Sequence, residues 1–345
     1  MEKTLNFAIV GCGVIGPTHA RSISHIPGAK LVAACDIVAE KAHRLAETFG
    51  IDAYTDYNEM FKRSDIDVVN VTVPSGLHAQ VGIAAARAGK HVIVEKPIDV
   101  TLEKADALIH ACQAAGVKLS SISQHRFDQA IIDVKLAIAE NKLGTLNFGA
   151  AHTKWFRAQE YYDGDEWRGT WVLDGGGALM NQGIHYVDLL QYLVGPVAEV
   201  SAYSATRTHT RIEVEDIVVA AVKFRSGALG FIEGNTAAYP GFCARLDVYG
   251  SDGGVVIEDD LVKEWKLRCG ETYQAAPNAG KSISGTSSAY IWEESHRRQI
   301  EDVANAIRED RQPSVPGKEG RKSLEIVLAI YQSARTGNPV TLPQT

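Results

Sequence analysis

The sequence predicts an α/β protein: a doubly wound parallel sheet over the N-terminal third, then a second domain whose strands run as antiparallel hairpins. Three observations carry this. Short apolar runs alternate with helix-length segments up to about residue 121, the pattern of parallel strands joined by crossover helices. A glycine-rich turn, Gly11-Cys12-Gly13-Val14-Ile15-Gly16, stands between the first strand and the first helix. Beyond Gln124 the helical connections give way to strands separated by tight turns such as Arg225-Ser226-Gly227.

At 345 residues the chain can build two domains with separate cores, and 45% hydrophobic with 22% charged residues is ordinary for a globular protein. A formal net charge of -7, without any Lys/Arg run, argues against nucleic acid as a partner. No apolar run approaches the ~20 residues of a membrane span. The N-terminus also lacks the basic-then-apolar pattern of a signal peptide, so no membrane contact and a cytoplasmic location are expected. Cys12, Cys35, Cys112, Cys243 and Cys269 are scattered with no CxxC pair, which reads as buried thiols. The histidines show no ligand spacing with Cys or carboxylates, so no metal is expected.

In chain order, the first domain reads as strand Leu5 to Val10, helix Pro17 to about Ile26, strand Leu31 to Cys35, helix Ala39 to Phe49 and a short strand near Ala53. Helix Tyr57 to Lys62, strand Val68 to Val73, helix Leu77 to Ala88 and strand His91 to Val94 follow. Helix Leu102 to Ala115, with Thr101 as N-cap and Gly116 beyond its end, and strand Lys118 to Ser121 complete it. The boundary falls near Ser123, giving domains 1–123 and 124–345.

Strand, GxGxxG, helix is the dinucleotide fingerprint in its proper setting. Gly11 permits the tight turn, Gly13 leaves room for a pyrophosphate, and Gly16 lets the helix pack closely on the strand. Asp36 ends the second strand twenty residues after Gly16, where its carboxylate would accept ribose hydroxyls and repel a 2′-phosphate. That favours NAD over NADP, although Asp36 could instead cap the helix beginning near Val38. Thr72, Pro74 and His78 border one side of the crevice at the strand ends, and Glu95-Lys96-Pro97 follows the next strand, with the Lys96 ammonium projecting over the crevice.

In the second domain, helix Asp128 to Glu140 and strand Asn147 to Thr153 lead into a loop containing Trp155, Arg157, Tyr161, Trp167, Arg168 and Trp171. Aromatics mixed with Arg suit stacking on sugar rings and pairing with an anion, or packing at a domain or subunit contact. Gly175-Gly176-Gly177 then runs into a helical segment on which Asn181, His185 and Asp188 share one face. A histidine there is either a proton-handling group or a hydrogen-bonded core residue. Strands Val197 to Thr206, Asp216 to Phe224, Ala228 to Thr236, Arg245 to Tyr249 and Val255 to Ile257 follow. A Gly-, Ser- and Ala-rich loop, 275–288, is expected near the substrate, and helices Glu293 to Arg308 and Lys318 to Thr336 close the chain.

The GxGxxG turn, the Asp36 strand end, the run from Ala88 through Glu95-Lys96-Pro97, and Gly183-Ile184-His185-Tyr186-Val187-Asp188 together resemble the glucose-fructose oxidoreductase / inositol dehydrogenase / MocA family over nearly the whole chain. The resemblance implies a Rossmann domain followed by an α/β domain on a large, open, mostly antiparallel sheet, whose exposed face serves in homo-oligomers, dimer or tetramer. It implies Lys96 and His185 as the catalytic pair, with Asn181 beside them. Cofactor contacts are implied at Gly11, Gly13, Val14, Ile15, Gly16, Asp36, Thr72, Pro74, His78, Glu95, Lys96, Gln124, Trp167 and Arg168. Substrate contacts are implied at Lys96, Trp155, Arg157, Tyr161, Asn181 and His185.

One departure matters: inositol-oxidising members carry Asp where this chain has Asn181, and an amide cannot hold a charge or relay a proton. Trp155-Phe156-Arg157, Gln159 to Asp163, Trp167 to Trp171 and Asp174 to Gln182 look most like the subgroup of UDP-N-acetylglucosaminuronate 3-dehydrogenases. The expected reaction is NAD-dependent oxidation of a secondary hydroxyl on a sugar or sugar nucleotide, with His185 as base and Lys96 on the reacting oxygen. NAD-assisted glycoside cleavage and a non-catalytic NAD-binding regulator are the alternatives. Asp188 is expected to be structural.

Overall fold

The computed structural model describes residues 4–274 and 293–343, and the loop expected at 275–288 lies outside them. Within the described residues the chain forms two compact units, 4–124 with 293–321 and 125–274 with 322–343. Residues 293–321, which the sequence reading left with the second domain, fold with the first.

The first unit contains β1 (Leu5–Val10), α1 (Gly16–Ser24), β2 (Ala29–Cys35), α2 (Ala39–Phe49), β3 (Asp52–Tyr54), α3 (Tyr57–Phe61) and β4 (Val68–Val71). A 3₁₀ turn, Ser75–Leu77, then leads into α4 (His78–Arg87), β5 (His91–Val94), α5 (Leu102–Ala114) and β6 (Leu119–Ser121). The strands form one parallel sheet in the order β3-β2-β1-β4-β5-β6, so the order reverses between β1 and β4. Such a switch point is where doubly wound sheets take ligands. Phe7, Ile9, Val68 and Ile93 are buried in this core with Ile23 of α1, and Ile300, Val303 and Ala304 complete it. β4 stops two residues short of its expected end. Thr72 turns back there, its hydroxyl donating to Val10 O (3.0 Å) and Gly11 O (2.6 Å), which ties β4 to the glycine turn.

The second unit begins with the 3₁₀ turn Gln124–Phe127, of which His125 onward belongs to it, then α6 (Gln129–Ala139), β7 (Leu146–Lys154) and the short α7 (Gln159–Asp163), expected only as loop. A π-helical turn, Ala178–Gly183, runs into α8 (Ile184–Val194), and β8 (Val197–Ala205), β9 (Ile217–Phe224), β10 (Leu229–Asn235), β11 (Ala244–Gly250), β12 (Gly253–Glu258) and β13 (Leu261–Leu267) follow. The last elements are α9 (Glu293–Arg308) of the first unit, α10 (Gly317–Thr336), whose residues from Lys322 onward fall in the second, and β14 (Val340–Thr341). The eight-stranded sheet has the order β13-β12-β11-β7-β10-β9-β8-β14. Its pairs are antiparallel apart from β7 with β10. One face packs on α8, where a Cβ at Gly149 would lie 2.6 Å from Val194. β13 and β14 escaped the sequence reading because both are edge strands, one with a charged Lys-Glu-Trp-Lys centre and one only two residues long. Of the cysteines, Cys12, Cys35 and Cys112 are buried as expected, but Cys243 is half-buried and Cys269 exposed.

α8 is buried nearly all round, including its polar residues. Asp188 is satisfied by a two-pronged bond from Arg126, whose Nε and Nη2 donate to its two oxygens at 2.7 Å each. Both side chains are only 5% exposed, so loss of Arg126 would take from Asp188 the cation that offsets its buried charge. Arg126→Leu is therefore expected to cost about 3–5 kcal/mol in chemical unfolding, and Arg126→Leu with Asp188→Leu to recover most of that loss. Equal destabilisation of the single and double variants would remove this pair as the anchor of α8.

Candidate active site

In the first unit, the glycine turn opens between β1 and β4. Gly11 has φ +101°, and a Cβ on it would lie 2.5 Å from the Thr72 backbone. A Cβ on Gly16 would lie 2.4 Å from Gly11 O, whereas one on Gly13 would meet nothing within 4 Å. The turn is thus closed on two sides and open on the third, with Val14 exposed and Ile15 at the N-terminus of α1. Asp36 accepts from Cys12 N and from Val38 N, both at 2.8 Å, so its carboxylate braces the turn and starts the segment before α2.

The strand-end residues divide. Lys96 is half-buried, on a cis bond to Pro97. Pro74 is half-buried too, as N-cap of the 3₁₀ turn. His78 is buried with one ring nitrogen 2.7 Å from Pro97 O and the other 2.9 Å from Val73 O, and burial pushes its pKa below the usual value. Glu95 also points inward. Its carboxylate meets His19 Nε2 at 2.9 Å and His296 Nε2 at 3.4 Å, and accepts from Lys96 N at 3.0 Å. Burial alone would raise the Glu95 pKa, but the bonds from His19 and His296 outweigh it and hold it well below the usual carboxylate range. His78 and Glu95 thus spend their polar atoms on the scaffold that holds Lys96. Gln124 differs: it is buried, and its Oε1 has no hydrogen-bond partner among the described residues.

In the second unit the structure gathers Trp155, Arg157, Tyr161, Trp167, Arg168 and Asn181. The Arg157 guanidinium lies 5.3 Å from the Trp155 ring and 5.5 Å from the Tyr161 ring. The Arg168 guanidinium lies 4.2 Å from the same Tyr161 ring and 4.9 Å from Trp167, and it is held by Asp165 at 3.0 Å. Trp167 and Arg168, expected at the cofactor, thus stand among the residues expected at the substrate. Gln182, which the sequence reading overlooked, links the group. It accepts from Arg157 Nη2 (3.1 Å) and donates to Tyr161 OH (2.9 Å) and Asn181 Oδ1 (3.1 Å).

The segment carrying Asn181 and His185 departs from the α-helical expectation. A π-turn has more residues per turn, so a four-residue spacing no longer marks one face. Asn181 Nδ2 donates to the buried Asp174 at 2.6 Å, and the His185 ring stands edge-on to His125 with centroids 5.2 Å apart. Two of the three glycines approach the protein itself. A Cβ on Gly177 would fall 1.8 Å from Glu215 O, and one on Gly176 2.3 Å from Tyr331 OH. Glu215 accepts from Gly177 N and Leu179 N at 2.9 Å each, and from Tyr331 OH at 2.9 Å.

The sequence assigns no site role to His19, His296, Glu215, His125 or Asp260, nor to Asp174 and Gln182, which enter only as the ends of a motif segment. His19, three residues after Gly16 on the buried side of α1, could have been found from helical periodicity. His125 and Asp260 meet only through tertiary structure. Spacing showed no metal cluster, yet His19-Glu95-His296 and His125-Asp128-Asp260 each bring three ligand-type atoms within 4.8 Å of one another. In both groups the shortest distances are imidazole-to-carboxylate hydrogen bonds.

A sequence profile described as oxidoreductase family, NAD-binding Rossmann fold, matches residues 5–123, and one described as oxidoreductase family, C-terminal alpha/beta domain, matches 135–342. The chain belongs to the Gfo/Idh/MocA oxidoreductase family. Myo-inositol 2-dehydrogenase of Thermotoga maritima is 27% identical over 349 residues, covering 99% of each chain. The WlbA dehydrogenase of Bordetella pertussis, solved with NADH and UDP-GlcNAcA, is 35% identical with a TM-score of 0.88, covering 99% of this chain and 100% of that one. The WlbA dehydrogenase of Chromobacterium violaceum, solved with the same pair, is 33% identical with a TM-score of 0.89, covering 100% and 98%. Among the described residues no helix is long and apolar enough to cross a membrane.

This Gfo/Idh/MocA member uses NAD, and its first unit suits the dinucleotide. The open side of Gly13 faces free space, backbone N–H groups at the start of α1 suit a pyrophosphate, and Gln124 Oε1 is an acceptor in want of a donor.

Burial pushes the Glu215 carboxyl up to about 7, against the hydrogen bonds from Leu179 N, Tyr331 and Gly177 N. A pKa higher folded than unfolded means that, between about pH 4.5 and 7, the unfolded chain ionises while the native carboxyl stays protonated. Stability should fall across that window, by roughly 3 kcal/mol for this group alone. Denaturant titrations at pH 5 and pH 7.5 should show the wild type losing more stability than Glu215→Gln; parallel losses would refute the shift.

Proposed function

We propose that this enzyme oxidises a secondary ring hydroxyl of an anionic sugar nucleotide of the UDP-N-acetylglucosaminuronate type, with NAD as acceptor. The observation that carries this reading is the pair of guanidiniums, Arg157 and Arg168, on one Tyr161 ring. Aromatic faces suit sugar rings, and two fixed cations suit a carboxylate or diphosphate. The two WlbA structures, complexes with UDP-GlcNAcA, support the same class.

In the proposed mechanism His185 takes the hydroxyl proton on an imidazole nitrogen as general base. Lys96 donates a hydrogen bond to the same oxygen and stabilises the developing alkoxide charge. Asn181, its amide held by Asp174, positions a substrate hydroxyl. When bound, the nicotinamide supplies the hydride acceptor. Asp36, at the end of β2, favours NAD over NADP by repelling a 2′-phosphate. The enzyme acts as a homo-oligomer through the outer face of its large sheet, where Tyr203 is 78% exposed and Leu229 58%.

The test follows nicotinamide absorbance with NAD and NADP over UDP-sugars, free hexoses, inositols and glycosides. UDP-N-acetylglucosaminuronate is expected to exceed UDP-N-acetylglucosamine, which lacks the sugar carboxylate, in kcat/KM by roughly tenfold or more, the worth of one charge-assisted pair. His185→Ala is expected to lower turnover about a hundredfold while NAD binding, read by fluorescence quenching, is kept. Equal turnover with and without the sugar carboxylate would sink the substrate class, and an active His185→Ala would remove the base.

A further inference from the structure

His125 lies outside every motif that pointed to function, yet its ring packs against that of His185. It is 1% exposed. Its Nδ1 is 2.7 Å from Asp128 Oδ2 and 3.3 Å from Asp260 Oδ1. A ring nitrogen aimed at two carboxylates carries a hydrogen. Its ring meets His185 edge-on, with centroids 5.2 Å apart and planes at 83°. Three elements meet the 3₁₀ turn that carries His125. Asp128 precedes α6, His185 and Tyr186 come from α8, and Asp260 comes from the β12–β13 turn. At that turn Asp259 and Asp260 both hold positive φ, 46° and 66°. Glycine or asparagine suits such a turn better, so aspartate at its second position brings a carboxylate at some conformational cost. Tyr186 OH donates to the same Asp260 oxygen at 3.4 Å.

We propose that His125, clamped as an imidazolium between Asp128 and Asp260, is a positioning residue that sets the protonation state of His185. The proposal rests on His185 being the base assigned above. Among the groups facing His125 are Asp128, Asp260, Tyr186 and His185; Arg126, next in the chain, is paired with Asp188. Burial pushes the Tyr186 hydroxyl well above its ordinary range, so it is uncharged near neutrality. Burial alone would lower the His125 pKa, but Asp260 and Asp128 push it up to about 10. A cation against the His185 ring disfavours a second one there, while Asp128 and Asp260 favour it, so the balance of these three charges sets how readily His185 takes a proton.

The charges make the test directional. His125→Gln removes the cation and leaves two carboxylates, so His185 should bind its proton more tightly, its pKa rising by about one unit. Asp260→Asn removes a carboxylate and should move the His185 pKa the opposite way. The measurement is a pH titration of ¹³C-labelled histidine resonances in the full chain with NAD bound, with His185→Gln assigning the signal. The acid limb of kcat/KM against pH is followed in parallel. Opposite shifts in the two variants support the proposal; an unmoved His185 pKa, or shifts of the same sign, overturn it. The NMR arm needs no substrate, so a sugar panel without turnover would overturn the proposed reaction and leave this result standing. If His125→Gln does not fold, Asp260→Asn alone decides, since an unshifted or raised His185 pKa in it is fatal.

Discussion

The second unit's chemistry hangs on one buried carboxylate. Glu215 takes the backbone N–H groups of Gly177 and Leu179 and the hydroxyl of Tyr331, while its own carbonyl accepts from Ala178 N. These bonds hold the first turn of the π-helical segment, whose geometry directs Asn181 and feeds into the helix carrying His185. The fit leaves no room for side chains at Gly176 and Gly177. The glycine run is therefore a packing requirement of this anchor. A π-turn is a less favourable hydrogen-bonding arrangement than an α-helix, and it persists where surrounding contacts over-determine it.

The first unit solves the same problem with opposite electrostatics. Glu95 ends β5 and fixes the peptide of Lys96 by accepting its N–H, while His19 and His296 supply charge-stabilising bonds from two helices. His19 Nδ1 accepts from Asn70 Nδ2, which leaves Nε2 as the protonated nitrogen that faces Glu95. Both carboxylates are buried, yet Glu95 stays low because imidazoles point at it, and Glu215 is lifted because its backbone and hydroxyl donors do not offset desolvation. Each unit thus has a buried acid that braces one motif segment: Glu95 holds the peptide of Lys96, and Glu215 holds the turn that runs into α8.

The fold was legible because its determinants are local. Strand-length apolar runs, the GxGxxG turn and the Thr101 cap, whose side chain accepts from Lys104 N, are written within a few residues of where they act. The π-turn was not legible, since the residues that impose it, Glu215 and Tyr331, lie far along the chain. The same holds for His125 with Asp260, joined across 135 positions by a hairpin turn. Motif spacing selected Lys96, Asn181 and His185. It did not show that the polar side-chain atoms of Glu95 and His78 are turned to the scaffold, because adjacency to a strand end does not say which way a side chain faces.

Asn181 shows what the structure adds to a motif. Read alone, it is a lost acid. In the fold a carboxylate survives one step back, at Asp174, which receives Asn181 Nδ2 at 2.6 Å and Gly169 N at 2.9 Å. With its NH₂ committed there, the amide must turn Oδ1 toward Tyr161 OH and Gln182 Nε2, at 3.5 Å and 3.1 Å. The chain Arg157 to Gln182 to Asn181 to Asp174 thus runs from a guanidinium through two amides to a buried acid. A carboxylate at position 181 would sit beside any anion held by Arg157 and Arg168 and repel it, whereas an amide oxygen accepts a hydroxyl without that charge. An acid placed behind the amide keeps the network's order and leaves the front of the site without a negative charge, which suits the anionic sugar proposed above, a distinction an inositol, being uncharged, does not need.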